Sequence, residues 1–429
     1  MATMLSMQSL FREDLPAGPE KKPQTIEELG VRKAVLEDLA LKTLYLTSSL
    51  SVLELSERMR ISFEAANELF IHMRAERFCQ VTGMVRNIPQ FTITTEGRNR
   101  AMELLSHSQY AGPAPVSLES YVERVRLQSV RDVQVRPENV KRAFAHLVVD
   151  NALLRQFGTA LNSGSAIFLY GPPGTGKTTF AETLSRVLSK EDVWIPHAVE
   201  VDGQIITVFD PTIHKNSKKS QHGDHDERWV LCQRPRVLVG GELTIDMLDL
   251  QFNPQTKFYV GPVQMKANNG VLIIDDFGRQ RVRPDELLNR WVVPLDRRID
   301  FLTLAGGKKI EMPFEMLVVF ASNIDPAELV DGAFLRRIQT KIKVGGVSDD
   351  EFTEIFSRYA REKDVEWDDG ICDDLIQFIR HALNQDLRSC YPRDIVNQVI
   401  WAARYHGIKP RLDRTALMRA VEAYFLPAS

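Results

Sequence analysis

The chain has 429 residues, 44% hydrophobic and 26% charged, with a net charge of −3. That length exceeds one compact core and predicts about two to four domains, and the near-neutral charge excludes a global pull towards nucleic acid or an anionic membrane. No apolar run reaches the roughly 18 residues of a membrane span and the N-terminus lacks a signal-peptide core, while Cys79, Cys232, Cys372 and Cys390 show no CxxC spacing, so the expectation is a cytoplasmic protein without membrane insertion or a zinc site.

Residues 1–30 mix Pro, Gly and charge without periodicity and read as a flexible arm. From Val31 three helical patterns follow in succession, the last over SFEAANELFIHMRAERF, and FCQVTGMVRNIPQFTITTEG then reads as two strands around a turn near Asn87 to Pro89. With a closing helix over 98–105, the order resembles a winged helix-turn-helix domain spanning 31–110. AGPAPVSLES, residues 111–120, reads as a linker.

From residue 121 helical and strand-like runs alternate, predicting an α/β core with a parallel sheet over 121–346. Residues 347–429 instead predict four helices, 349–363, 370–384, 392–405 and 413–425, with no strand: a separate helical lid.

Within the core, LYGPPGTGKTT (169–179) lies between an apolar strand and a helix, and its spacing fits a phosphate loop. Glycines let backbone N–H groups turn inward and the helix N-terminus adds positive potential. Gly171, Pro172, Pro173, Gly174, Thr175, Gly176, Lys177, Thr178 and Thr179 are therefore the expected nucleotide-binding residues. Lys177 neutralises the outer phosphates of ATP, and Thr178 offers a hydroxyl to Mg²⁺. Val271 to Asp276, VLIIDD, reads as a buried strand delivering two carboxylates to a sheet edge. Asp275 would hold magnesium and Asp276 would orient or deprotonate the attacking water.

With these two elements the chain resembles the AAA+ ATPase family, over residues 125–429. The resemblance implies Mg-dependent ATP hydrolysis, with Asn323, at the end of FEMLVVFASN, as the sensor-1 residue. It also implies an arginine finger among Arg336 and Arg337 of DGAFLRRI, and Arg393 of CYPRD as sensor 2. Asp-Asp replaces the commoner Asp-Glu, which implies slow turnover. It further implies a homo-oligomer, a hexameric ring being the expected form.

Ile299 to Glu311 alternates around Gly306-Gly307 and predicts a hairpin ahead of sensor 1, as in the MoxR-like and RuvB-like groups. No GAFTGA loop is present, which argues against a sigma-54 activator. Residues 200–262 read as an insertion. Within it, His214, His222 and His225 with Asp224 and Asp226 match no metal-ligand spacing and read as a solvated loop. Phe258-Tyr259-Val260-Gly261 resembles an unfoldase pore loop, the alternative being an ordinary half-buried strand end.

The segment 31–110 carries ten Lys/Arg against nine Asp/Glu. Its reading helix holds Glu64, Glu68 and Glu76 against Arg74 and Arg77, which would repel a DNA groove. The favoured expectation is remodelling of a protein client or adaptor recruited by the N-terminal domain. The alternatives are a DNA-directed regulator, loader or transposition helper, and a nucleotide-gated scaffold.

Overall fold

Well-placed caps and helical spacing of apolar residues build the N-terminal unit. The computed structural model describes residues 21–85, 88–188, 191–218, 225–329 and 332–425. It begins with α1 (Lys33–Thr47), β1 (Ser49–Ser51), α2 (Val52–Met59), α3 (Phe63–Ala75), β2 (Cys79–Val85), β3 (Ile88–Ile93) and α4 (Thr95–His107). Ser51 caps α2 in a capping box with Glu54, while Ser62 and Thr94 cap α3 and α4, satisfying N–H groups that a first helical turn leaves without partners. The strands form an antiparallel sheet ordered β1-β3-β2. Arg86 and Asn87, between the two hairpin strands, lie outside the described residues, as do residues 1–20 of the expected arm.

The rest of that arm is not loose, contrary to its composition. Ile26 and Leu29 are buried in the N-terminal core, Glu68 accepts from the Ile26 N–H at 3.1 Å, and Ser62 donates to the Gln24 carbonyl at 3.2 Å. The expected linker also packs: Ala114 and Val116 are buried, and Val116–Ser117 forms strand β4. Leu118 to Ser120 already open the next helix, and the Pro and Gly of residues 112–115 do not keep small and β-branched neighbours out of a core.

The chain continues through α5 (Leu118–Leu127), α6 (Pro137–Phe144), α7 (Asn151–Ser163), β5 (Ile167–Tyr170), α8 (Lys177–Leu188), β6 (Asp192–Pro196), β7 (Ala198–Val201), β8 (Gln204–Thr207), β9 (Trp229–Gln233) and β10 (Arg236–Val239). Then come β11 (Gln251–Phe252), β12 (Tyr259–Val260), α9 (Val263–Ala267), β13 (Val271–Ile274), α10 (Pro284–Arg290), α11 (Val292–Arg297), β14 (Ile299–Thr303), β15 (Lys309–Pro313), β16 (Leu317–Ser322), α12 (Pro326–Leu329), α13 (Gly332–Leu335) and β17 (Thr340–Lys343).

Five of these strands form one parallel sheet, ordered β10-β13-β16-β5-β17. Side chains alternate across it with period two. Ile167, Leu169, Val271, Ile273, Leu317, Val319 and Ile342 join the core under α6, α7 and α8, whereas Phe168, Leu272, Ile274, Val318 and Phe320 join the core on the other face. The mixed α/β class with a parallel sheet is thus as expected.

The insertion needs correcting. Arg236–Val239 falls inside the expected 200–262 but is the edge strand of the central sheet, paired with β13. The true excess is a separate β layer: a five-stranded sheet ordered β11-β12-β8-β7-β4 and the pair β6–β9. These share a core with the β14–β15 hairpin through Trp194, Ile206, Trp229, Tyr259, Leu302 and Ile310. Polar clamps join this layer to the N-terminal unit. Arg32 bonds Glu200 at 2.7 Å, and the buried Arg228 pairs with Asp226 at 2.7 Å while donating to the carbonyls of Leu29 and Pro115.

The C-terminal region holds α14 (Asp349–Glu362), β18 (Glu366–Trp367), α15 (Ile371–Gln377), which runs into a π turn over Phe378–Ala382, α16 (Tyr391–His406), β19 (Arg411–Leu412) and α17 (Arg414–Tyr424). It is helical as expected, but β18 and β19 pair in parallel. Two residues per strand are too few to leave a periodic signal. No helix among the described residues is long and apolar enough to cross a membrane.

Candidate functional site

The loop joining β5 to α8 lies at the C-terminal edge of the parallel sheet. Its glycines are required sterically. Gly171 has φ +144° and a Cβ there would sit 2.1 Å from the Val344 carbonyl oxygen, and Gly174 has φ +78° with Cys390 Sγ 2.5 Å from where a Cβ would be. Thr175 Oγ1 donates to the Pro172 carbonyl at 3.0 Å and closes the loop. Lys177 Nζ donates to the carbonyls of Gly171 and Pro172 at 2.9 and 2.7 Å. Burial pushes the Lys177 pKa down, and the Asp276 and Asp275 carboxylates oppose that shift. Its positive charge rests on neutral carbonyls at the N-terminus of α8, an arrangement suited to an incoming polyanion.

Facing the loop, Thr178 Oγ1 lies 2.9 Å from both carboxylate oxygens of Asp275. Asp276 has φ +48°, a left-handed conformation that Asp tolerates better than most residues. Asn323, just past β16, donates from Nδ2 to Asp276 Oδ1 at 2.9 Å. Buried Ser322 donates to the Phe277 carbonyl at 2.7 Å and pins the turn after β13.

Among the described residues, no group of three or more His, Cys, Asp or Glu side chains is placed to hold a metal ion. A magnesium shared with phosphates needs only one or two protein oxygens, and the hard oxygens of Thr178 and Asp275 fit that role.

Gly174, Lys177, Thr178, Asp275, Asp276 and Asn323 line a cleft of about 500 Å³, closed on one side by the C-terminal helices. Arg393, in the first turn of α16, lies on its wall, with Nε 3.0 Å from Asp394 Oδ1. Ser389 Oγ and the Cys390 N–H both donate to the Gly174 carbonyl at 3.2 Å, tying the C-terminal helices to the β5–α8 loop. Sequence reasoning missed Ser389, and it missed Ile355, Arg358, Tyr359 and Glu362 on α14, which also line the cleft. Their spacing, i, i+3, i+4 and i+7, marks one helix face. Nothing in the sequence shows that this face turns to the loop rather than to solvent.

Arg336 and Arg337 are not in this cleft. They line a second one of about 410 Å³, with Arg131, Ser165 and Arg298, at the N-terminal edge of the sheet. Arg337 Nε lies 2.8 Å from Asp296 Oδ2, and Arg336 is exposed. Asp331 of the same motif lies outside the described residues.

Two minor readings are decided by burial. Tyr259 is 3% exposed and its hydroxyl accepts from the Ala305 N–H at 2.7 Å, so it is a core residue and not a pore loop. His214 is buried too, where its Nδ1 accepts from the Asp210 N–H at 2.9 Å and its Nε2 faces the Lys266 carbonyl at 2.8 Å. That is a packed histidine rather than the solvated one expected. Asp226 is likewise buried, on Arg228. His222 and Asp224 lie outside the described residues.

The family described as a domain of unknown function (DUF8689) matches residues 348–423. No curated protein sequence matches the chain. Among solved structures, the RuvB Holliday junction branch migration motor of Thermotoga maritima is 17% identical, with 68% of this chain and 73% of that chain covered and a TM-score of 0.37. NtrX from Brucella abortus, in complex with ADP, is 13% identical, with 67% of this chain and 58% of that chain covered and a TM-score of 0.42. At such identities the residues of the cleft, rather than the neighbours, decide what the chain does.

Proposed function

We propose that this protein is an AAA+ ATPase that hydrolyses ATP with Mg²⁺ and, as a homo-oligomer, couples turnover to remodelling of a protein client. One observation carries the ATPase reading. Beside a glycine-built loop with a buried lysine, two side-chain pairs, Thr178–Asp275 and Asp276–Asn323, converge at the C-terminal edge of a parallel sheet. The loop and Lys177 bind the phosphates. Magnesium, when bound by Thr178 and Asp275, neutralises charge on the outer phosphates. Asp276 accepts the proton of the attacking water, held in place by Asn323, and Arg393 steadies the nucleotide from the lid.

Arg336 and Arg337 lie at the opposite sheet edge from their own phosphate loop. That placement supports a finger acting on a neighbouring copy, and with it an assembly of copies such as a hexameric ring. The hairpin β14–β15 ahead of β16 supports the pre-sensor-1 type.

The choice of a protein client rests on α3. As the reading helix of a winged-helix domain it would have to enter a DNA groove, yet residues 24–26 are strapped to it through Ser62 and Glu68. Its exposed residues include the apolar Phe63 and Ile71 beside Glu64, a surface that suits protein better than phosphate.

The test is steady-state phosphate release from ATP by the full chain with and without Mg²⁺, beside Lys177→Ala. Loss of the ammonium should abolish turnover and weaken nucleotide binding by about 10- to 150-fold or more, the loss expected for a charge-assisted bond. Wild-type rates in the variant would place the phosphate site elsewhere.

A further inference from the structure

Arg393 lines the nucleotide cleft from the first turn of α16, yet its side chain is 59% exposed. An exposed arginine samples many rotamers, and a phosphate that bound it would have to fix them. Here two neighbours fix them in advance. Asp394 accepts from Arg393 Nε at 3.0 Å through Oδ1, and its Oδ2 accepts from the Tyr424 hydroxyl at 2.8 Å. Successive residues on a helix do not face each other, so helix geometry alone does not bring the Arg393 and Asp394 groups together.

The Tyr424 end of this relay is itself held. Tyr424 is the last residue of α17, 30 residues beyond Asp394. Its ring meets that of Tyr391 edge-on, with centroids 5.9 Å apart, and its hydroxyl lies 3.9 Å from Cys390 Sγ. Burial, and after it the Asp394 carboxylate, push the Tyr424 pKa up, so the phenol keeps the proton that it donates. Cys390 in turn donates its N–H to the Gly174 carbonyl. Contacts therefore run unbroken from the β5–α8 loop through Cys390, Tyr424 and Asp394 to Arg393. Of the guanidinium, only Nε is taken. Among the described residues its two terminal nitrogens have no hydrogen-bond partner, which leaves free the planar fork that matches a phosphate.

We infer that Asp394 and Tyr424 are positioning residues for Arg393: the hydroxyl of α17 fixes the carboxylate, the carboxylate fixes the guanidinium by Nε, and the free fork is presented to the phosphates of ATP. The inference rests on the reading of the cleft as an ATP site with Arg393 facing the nucleotide. It brings α17 into nucleotide binding although no described residue of that helix lines the cleft.

The experiment titrates the full chain with a fluorescent, non-hydrolysable ATP analogue in the presence of Mg²⁺. Arg393→Ala should weaken binding about 10-fold or more, the loss for a charge-assisted bond. Tyr424→Phe keeps the ring and the Asp394 charge and removes only the hydroxyl. It should weaken binding about 3- to 10-fold, the cost of ordering one long side chain, and Asp394→Asn should lose at least as much. The deciding measurement is the double variant Arg393→Ala/Tyr424→Phe, which should bind no more weakly than Arg393→Ala alone, because a relay without its arginine has nothing to position. A tyrosine that only supports the fold would add its full loss in that background. Additive losses, or a Tyr424→Phe that binds as the wild type does, overturn the inference and leave the ATP site standing. No binding by the wild type, or an Arg393→Ala with wild-type affinity, overturns the reading beneath it and the inference with it.

Discussion

Asn323 donates from Nδ2 to Oδ1 of Asp276 across 2.9 Å, joining the ends of two adjacent parallel strands 47 residues apart in sequence. An amide that holds the carboxylate by one oxygen leaves the other for a water.

Asp276→Asn should therefore keep nucleotide binding and lose turnover by about 10² to 10⁴-fold, the range for a lost general base. Asn323→Ala should lose less, because the carboxylate survives but is no longer held. Fluorescent-nucleotide titration beside phosphate release separates the two effects, and full turnover in Asp276→Asn would exclude this carboxylate as the base.

Arg336 and Arg337 face away from their own nucleotide cleft, so activity should rise more steeply than linearly with protein concentration. Removal of an arginine finger costs about 10³ to 10⁵ in rate where it has been measured. Arg336→Ala/Arg337→Ala protein and Lys177→Ala protein should each be inactive, yet recover partial turnover when mixed. Co-assembly of the two, verified by light scattering, without any recovered turnover would refute a finger acting between copies.

Gly171→Ala should destabilise the fold itself. The added methyl would meet the Val344 carbonyl oxygen at 2.1 Å, and φ +144° is strained for any side chain. The expected cost is about 2 kcal/mol or more. It should appear as a lower urea midpoint with an unchanged slope.

Lys42, on α1 and 4% exposed, donates to the carbonyl of Ser108, just past α4, at 3.2 Å, and burial pushes its pKa down to about 8 from 10.5. Between those values the unfolded chain binds the proton that the folded chain has lost, so this residue makes stability rise with pH across that window. Denaturation of wild type and Lys42→Met from pH 7.5 to 10.5 should show the wild type gaining on the variant. A constant difference would mean that Lys42 titrates normally.

Much of the phosphate site was legible because it is written in contiguous residues. A Gly-rich loop between strand and helix dictates its own backbone, and four buried apolar residues followed by two acids can scarcely be anything other than a central strand ending at a sheet edge. Asn323 and Arg393 were reached only by resemblance, since a single polar residue at the end of an element carries no local signature. Arg358 and Ser389 were not reached at all.

By itself, the sequence determined the local features: the phosphate loop, the strand with its acid pair, the hairpin before β16 and the helical C-terminal region, each of which follows from spacing within about a dozen residues. Only the tertiary structure decided that Arg236–Val239 is an edge strand of the central sheet rather than part of an insertion, that Tyr259 is buried, and that residues 24–29 and 114–117 are packed. Burial depends on what lies opposite a segment in space, and the buried Arg228 that reaches both Leu29 and Pro115 comes from 199 and 113 residues further along the chain. No local pattern in either segment encodes a partner that distant.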